Sequence, residues 1–154
     1  MKKVLFVLMA LFIATAFISC SDEDEFTEVQ VPANLDASLL PGYWILVKDG
    51  AKQNFGVWIS DQDDILTSAM GKPVKFFQLP NGLDGPALRM ETSYWYVNDG
   101  VINIWMWEGG RSIIKLSKDK MTMRTTTLVG EAHSGIQEYE RLSEPIEIEE
   151  SINF

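Results

Sequence analysis

The side chains of this 154-residue chain best suited to chemistry are five tryptophans, one histidine, one cysteine and a short acidic cluster. Trp58, Trp95, Trp105 and Trp107 offer flat apolar faces that could line a pocket or platform for an apolar or sugar-like ligand. Each indole carries roughly 150 to 250 Å² of surface. Together they exceed the few hundred Å² that a monomer usually exposes as one patch. Most must therefore be buried, shared with a partner or arranged around a cavity. A filled interior, with the outer face covered by one of the chain's flanks, accounts for the same residues. Asp61-Gln62-Asp63-Asp64 begins like a calcium loop but lacks the glycine and terminal glutamate that such a loop uses, so it reads as a solvated turn. His133 is the only histidine and has no nucleophile or orienting acid in a recognisable motif. A two-histidine metal site is therefore excluded. No catalytic residue, metal ligand or cofactor is expected, and the chain reads as a non-enzyme. Paired carboxylates converging in an apolar cleft would reverse that reading.

Cys20 has a different chemistry. Lys2 and Lys3 precede an apolar or small-residue run from Val4 to Ile18, which ends in Phe17-Ile18-Ser19-Cys20. That run has 15 residues, short of the roughly 20 needed to span a bilayer. It reads as a cleaved export signal, residues 1–19, with Cys20 as the acylated residue. The expected location is the outer membrane, held by lipid. With no second cysteine, no disulfide can form within the chain, and stability must come from packing.

Removing the signal leaves 135 residues, enough for one domain with one core. The remaining chain has 11 basic and 22 acidic side chains. Its acidity lies in the flanks: residues 21–37 carry six acids and no base, residues 144–154 four acids and no base, and residues 38–143 hold 12 acids against 11 bases. A basic face for nucleic acid is missing. Residues 20–38 read as a lipidated acidic tether, whose 18 residues from Ser21 to Ser38 span roughly 25 Å as flexible chain. Residues 39–143 form the domain. Residues 144–154 form an acidic tail that is either disordered or an edge strand.

From Gly42 onward the pattern predicts short strands: 42–48, 55–60, 74–79, 87–91, 93–97, 101–107, 112–116, 121–128 and 136–142. Asp99-Gly100 favours a tight hairpin by accepting positive φ. Glu108-Gly109-Gly110 and Ser117-Lys118-Asp119-Lys120 look like further hairpin loops, so four strands from Ser93 to Leu128 should form a meander. Alternation places Val101, Asn103, Trp105 and Trp107 on one face and Ile102, Ile104 and Met106 on the other. An exposed sheet face is usually polar. Here both faces are apolar. The fold class is all-β, an antiparallel barrel or sandwich rather than α/β.

Pro41-Gly42-Tyr43-Trp44 resembles the Gly-x-Trp start of lipocalins and related calycin barrels. The segments Tyr94 to Gly100, Ile113 to Met121 and Glu138 to Arg141 are similar to the small lipocalin-like domains of Bacteroidetes lipoproteins, and the acidic run after Cys20 resembles their surface-export signal. The resemblance covers about residues 39 to 143. It implies a single up-and-down barrel of about eight strands, closed at one end by Trp44 packed against Arg141, on a protein facing the cell surface or else the periplasm. The expected partners are the membrane, through the N-terminal lipid, and a small hydrophobic or glycan ligand. The alternative is a surface scaffold with a filled barrel that docks another protein.

Overall fold

The computed structural model describes residues 31–63, 69–106, 109–126 and 135–150. Strands β1 (Gly42–Lys48), β2 (Ala51–Ile59), β3 (Lys72–Gln78), β4 (Ala87–Asn98), β5 (Val101–Trp105), β6 (Gly110–Leu116), β7 (Lys120–Thr126) and β8 (Ile136–Arg141) pair antiparallel in chain order. β8 then returns to β1, with Trp44 opposite Arg141. The ring is a closed eight-stranded up-and-down barrel, consistent with the calycin-like architecture that the resemblance implied. Closure leaves no open sheet edge in the ring. The export signal at residues 1–19 and the acylated Cys20 lie outside the described residues.

Two Asp-Gly hairpins set the register. Asp99 and Gly100 both adopt positive φ, 49° and 77°, as a tight turn between twisted strands requires. Asn98 therefore faces Val101, and Tyr94 faces Trp105. Asp49 and Gly50 do the same between β1 and β2, at 53° and 75°. β2 consequently starts at Ala51, four residues before the sequence expectation, because Ala51 to Asn54 lie on the ladder with mostly exposed side chains. The expected strands 87–91 and 93–97 are one strand, β4. Its register slips opposite Phe76 and Phe77. Such a bulge turns the following residues to the other face, which puts Ala87 on the outside of the barrel.

Period-2 alternation fills the lumen. Trp44, Val57, Ile59, Val74, Phe76, Trp95, Ile102, Ile104, Ile113, Met121, Met123 and Tyr139 form one buried cluster with Leu40. None of these side chains is more than 8% exposed. The end of the expected tether belongs to this body. A 3-10 turn at Ala37–Leu39 has its N–H groups capped by Asp36, whose carboxylate accepts from Ser38 N at 3.0 Å and Ser38 Oγ at 2.6 Å. Those bonds hold the Asp36 carboxyl below its ordinary value. Leu35 and Ala37 pack on the core, and Asn34 N donates to Gly100 O at 2.7 Å. This end of the lumen is thus stoppered by chain.

A second cluster lies outside the ring. Ile45, Phe77, Leu79 and Ala87 are buried beneath Leu142, Ile146 and Ile148, with Tyr43 and Trp58 at the margin. The acidic tail supplies the cover: β9 (Ile148–Glu149) pairs parallel with Ala87 and Leu88 of β4. Glu150 clamps it down, reaching Lys75 at 3.0 Å and also Arg89. Of the two expectations for residues 144–154, the edge strand holds for the part described. It pairs with the chain's own barrel.

Candidate functional site

At the stoppered end, Arg141 lies with its guanidinium 4.1 Å from the Trp44 ring centroid. Its Nε donates to Lys118 O at 2.5 Å and Nη1 to Pro41 O at 2.6 Å, while Nη2 donates to Leu39 O. Trp44 Nε1 donates to Leu40 O at 2.9 Å. Gly42, at φ 141°, makes room for the guanidinium, since a Cβ there would fall on Nη1. Every printed donor in this cluster is spent on backbone carbonyls, which makes the pair an architectural clasp. Burial lowers the pKa of Arg141, against the opposing charge of Asp119.

The four tryptophans nominated for ligand contact do not converge. Trp95 is in the lumen, 8% exposed, with Nε1 donating to Ser60 O at 2.7 Å and Lys72 Nζ 5.8 Å from the ring. Trp58 is on the outside, tilted against Tyr43 at 6.4 Å, with Lys75 Nζ 5.5 Å from its ring. It belongs to the margin of the tail-covered cluster. Trp107 lies outside the described residues, as does His133. Asp61, the first residue of the acidic run, uses its carbonyl to accept from Lys72 Nζ at 2.6 Å. Among the described residues no group of three or more potential metal ligands gathers.

Trp105 is the remaining indole, and its surroundings are distinctive. It projects from the outer face of β5 and stacks on Tyr94 at 5.4 Å and 4°. Tyr96, tilted against Tyr94 at 6.1 Å, is 37% exposed. Beside them β5 and β6 share only a short ladder, Asn103 with Ser112 and Ile104 with Arg111. Where the strands part, a cavity of about 230 Å³ opens, lined by Tyr96, Asn103, Trp105, Met106, Arg111 and Ser112 among others. Ser112 Oγ donates to Asn103 Oδ1 at 2.9 Å, and Asn103 Nδ2 donates to Val101 O at 3.1 Å.

Behind this cavity Arg111 reaches across the lumen. Its guanidinium lies 4.9 Å from the centroid of Phe76, which stacks on Phe55 at 6.1 Å. Nη1 donates to Tyr139 Oη at 3.2 Å, and that hydroxyl donates to Gln137 Oε1 at 3.1 Å. Burial raises the pKa of Tyr139, while the charge of Arg111 and the hydrogen bond from it oppose the shift. Sequence reasoning named Trp105 but missed Tyr94, Tyr96, Asn103, Ser112 and Arg111. The signal for the tyrosines was present: a two-residue turn at Asp99-Gly100 dictates that Tyr94 faces Trp105 and Tyr96 faces Asn103. No protein-family model, curated protein or solved structure matches the chain.

Proposed function

We infer that this chain is a non-enzymatic binding protein of the cell envelope that takes a glycan on the outer face of β4 to β6. One observation carries the reading: stacked Tyr94 and Trp105, with exposed Tyr96, border a cavity that also offers Asn103 and Ser112. A sugar ring has an apolar C–H face and a rim of hydroxyls. Aromatic faces flanked by a few placed amide and hydroxyl groups match both. The volume of about 230 Å³ is below the roughly 300 to 1,000 Å³ of drug-sized ligand sites, which suits one sugar ring rather than a long acyl chain. The buried cluster of the lumen weighs in the same direction. Cys20, acylated after export, would hold the barrel at the outer membrane facing the surface.

Two measurements test these parts separately. Intact mass of the protein from its host should show an acylated N-terminus at Cys20, and Cys20→Ala should leave the membrane fraction; an unmodified N-terminus contradicts the anchor. Calorimetric titration of the full chain with oligosaccharides and with fatty acids tests the site. Binding of an oligosaccharide is expected, weakened about two- to tenfold by Trp105→Phe or Tyr96→Ala, the equivalent of about 0.5 to 1.5 kcal/mol for an aromatic contact. Fatty acid binding alone, or oligosaccharide affinity untouched by both substitutions, would overturn it. A failure of both ligand classes would favour the surface scaffold.

A further inference from the structure

We propose that the sugar taken by this site is an acidic one, whose carboxylate is engaged by Arg111; the inference rests on the glycan reading above and specifies its substrate class. Arg111 is the only charged residue among those lining the cavity between β5 and β6. It stands opposite Ile104 on the ladder, so its stem rises from the cavity wall and its head passes inward over Phe76. The guanidinium carries five N–H donors. One hydrogen bond from it is formed, Nη1 to Tyr139, and Nε is buried without a partner.

The charge is also uncompensated. The ion pairs among the described residues, Lys75 with Glu150 and Arg89 with Glu150, lie on the outer face under the tail. A guanidinium withdrawn from water with donors unspent is unfavourable unless a counter-charge arrives. The other residues of the cavity wall that border the platform, Tyr96, Asn103, Trp105 and Ser112, are neutral, so nothing there repels an anion or substitutes for one. Nε is the guanidinium nitrogen nearest the backbone and therefore nearest the wall that Arg111 helps to form. A carboxylate on a ring seated against Tyr96 and Trp105 would accept from that free donor, and its planar pair of oxygens fits the fork of an arginine as a neutral hydroxyl does not. The aromatic residues then supply the contact common to all sugars, and Arg111 supplies the choice among them.

The test is a matched pair of oligosaccharides that differ only in a terminal hexose or the corresponding uronic acid, titrated calorimetrically into the full chain at low and high salt. The wild type is expected to bind the uronic acid at least tenfold more tightly, with the ratio shrinking as salt rises. Arg111→Gln should bring the two affinities together, and Arg111→Lys, which keeps the charge but loses the fork, should restore only part of the ratio. Trp105→Phe should weaken both ligands alike. If the wild type binds both sugars equally, this inference is overturned while the glycan reading stands. If neither sugar binds, both fail. Should the Arg111 variants not fold, the wild-type ratio and its salt dependence decide the matter alone.

Discussion

Replacing Trp44 by alanine should lower the stability of the barrel by about 3 to 5 kcal/mol, the range for removing a large buried aromatic side chain. Trp44 is fully buried in the lumen cluster, and its indole N–H satisfies Leu40 O, so the substitution opens a cavity and also strands a carbonyl. Arg141→Ala should destabilise as well, because it releases the carbonyls of Leu39, Pro41 and Lys118 and removes a stem packed at the barrel end. A folded domain has only about 5 to 15 kcal/mol in hand. Denaturant unfolding of the two single variants and the double variant should return a coupling of about 0.5 to 2 kcal/mol, as expected for a cation over an indole. Additive effects would show that the 4.1 Å approach contributes nothing of its own.

Ending the chain after Ser143 should cost about 2 to 4 kcal/mol and expose apolar surface. A fully buried isoleucine is worth about 1.5 to 3 kcal/mol, and Ile146 and Ile148 are each partly buried over Phe77 and Leu79. The truncated protein should bind a hydrophobic dye and self-associate; a dye-silent monomer of unchanged stability would contradict the packing. The clamp at Glu150 adds a pH dependence. Hydrogen bonding from Lys75 leads in lowering the pKa of that carboxyl below 4.5, with the charges of Lys75 and Arg89 in support. The folded pKa lies below the unfolded one, so the contribution is complete above 4.5 and is lost as pH falls through the lowered value. Methyl resonances of Ile146 and Ile148 should therefore shift in acid in the wild type, and Glu150→Gln should flatten that titration. Glu150 is exposed, so the effect should also weaken with salt.

Local signals of the fold were legible and non-local ones were not. Asp99-Gly100 announced its hairpin because only a few residue types accept two positive φ values in succession. Asp49-Gly50 carried the same signal and was passed over, because the exposed residues after it broke the apolar alternation. The alternation of β5 assigned its faces correctly, Ile102 and Ile104 within and Trp105 without. What alternation cannot supply is which strand lies across the lumen. Arg111 meets Phe76 of β3 only because the ring closes, and a single arginine on a strand gives no hint of that in sequence. The tail was legible as alternating acid and isoleucine, yet its place on β4 depends on a bulge that turns Ala87 outward. The tryptophans looked like one group in composition. Strand parity divides them among the lumen, the tail-covered face and the cavity wall.

The central claim is that ligand binding takes place on the outer face at Trp105 and not in the lumen, and indole N–H resonances test it directly. Three reporters are placed for the purpose: Trp44 and Trp95 in the lumen, bonded to Leu40 O and Ser60 O, and Trp105 beside the cavity. On titration of the full chain with an oligosaccharide, the Trp105 signal should move with ligand concentration while those of Trp44 and Trp95 stay in place. Movement of the Trp44 and Trp95 signals with Trp105 unchanged would put the ligand inside the barrel and contradict the account.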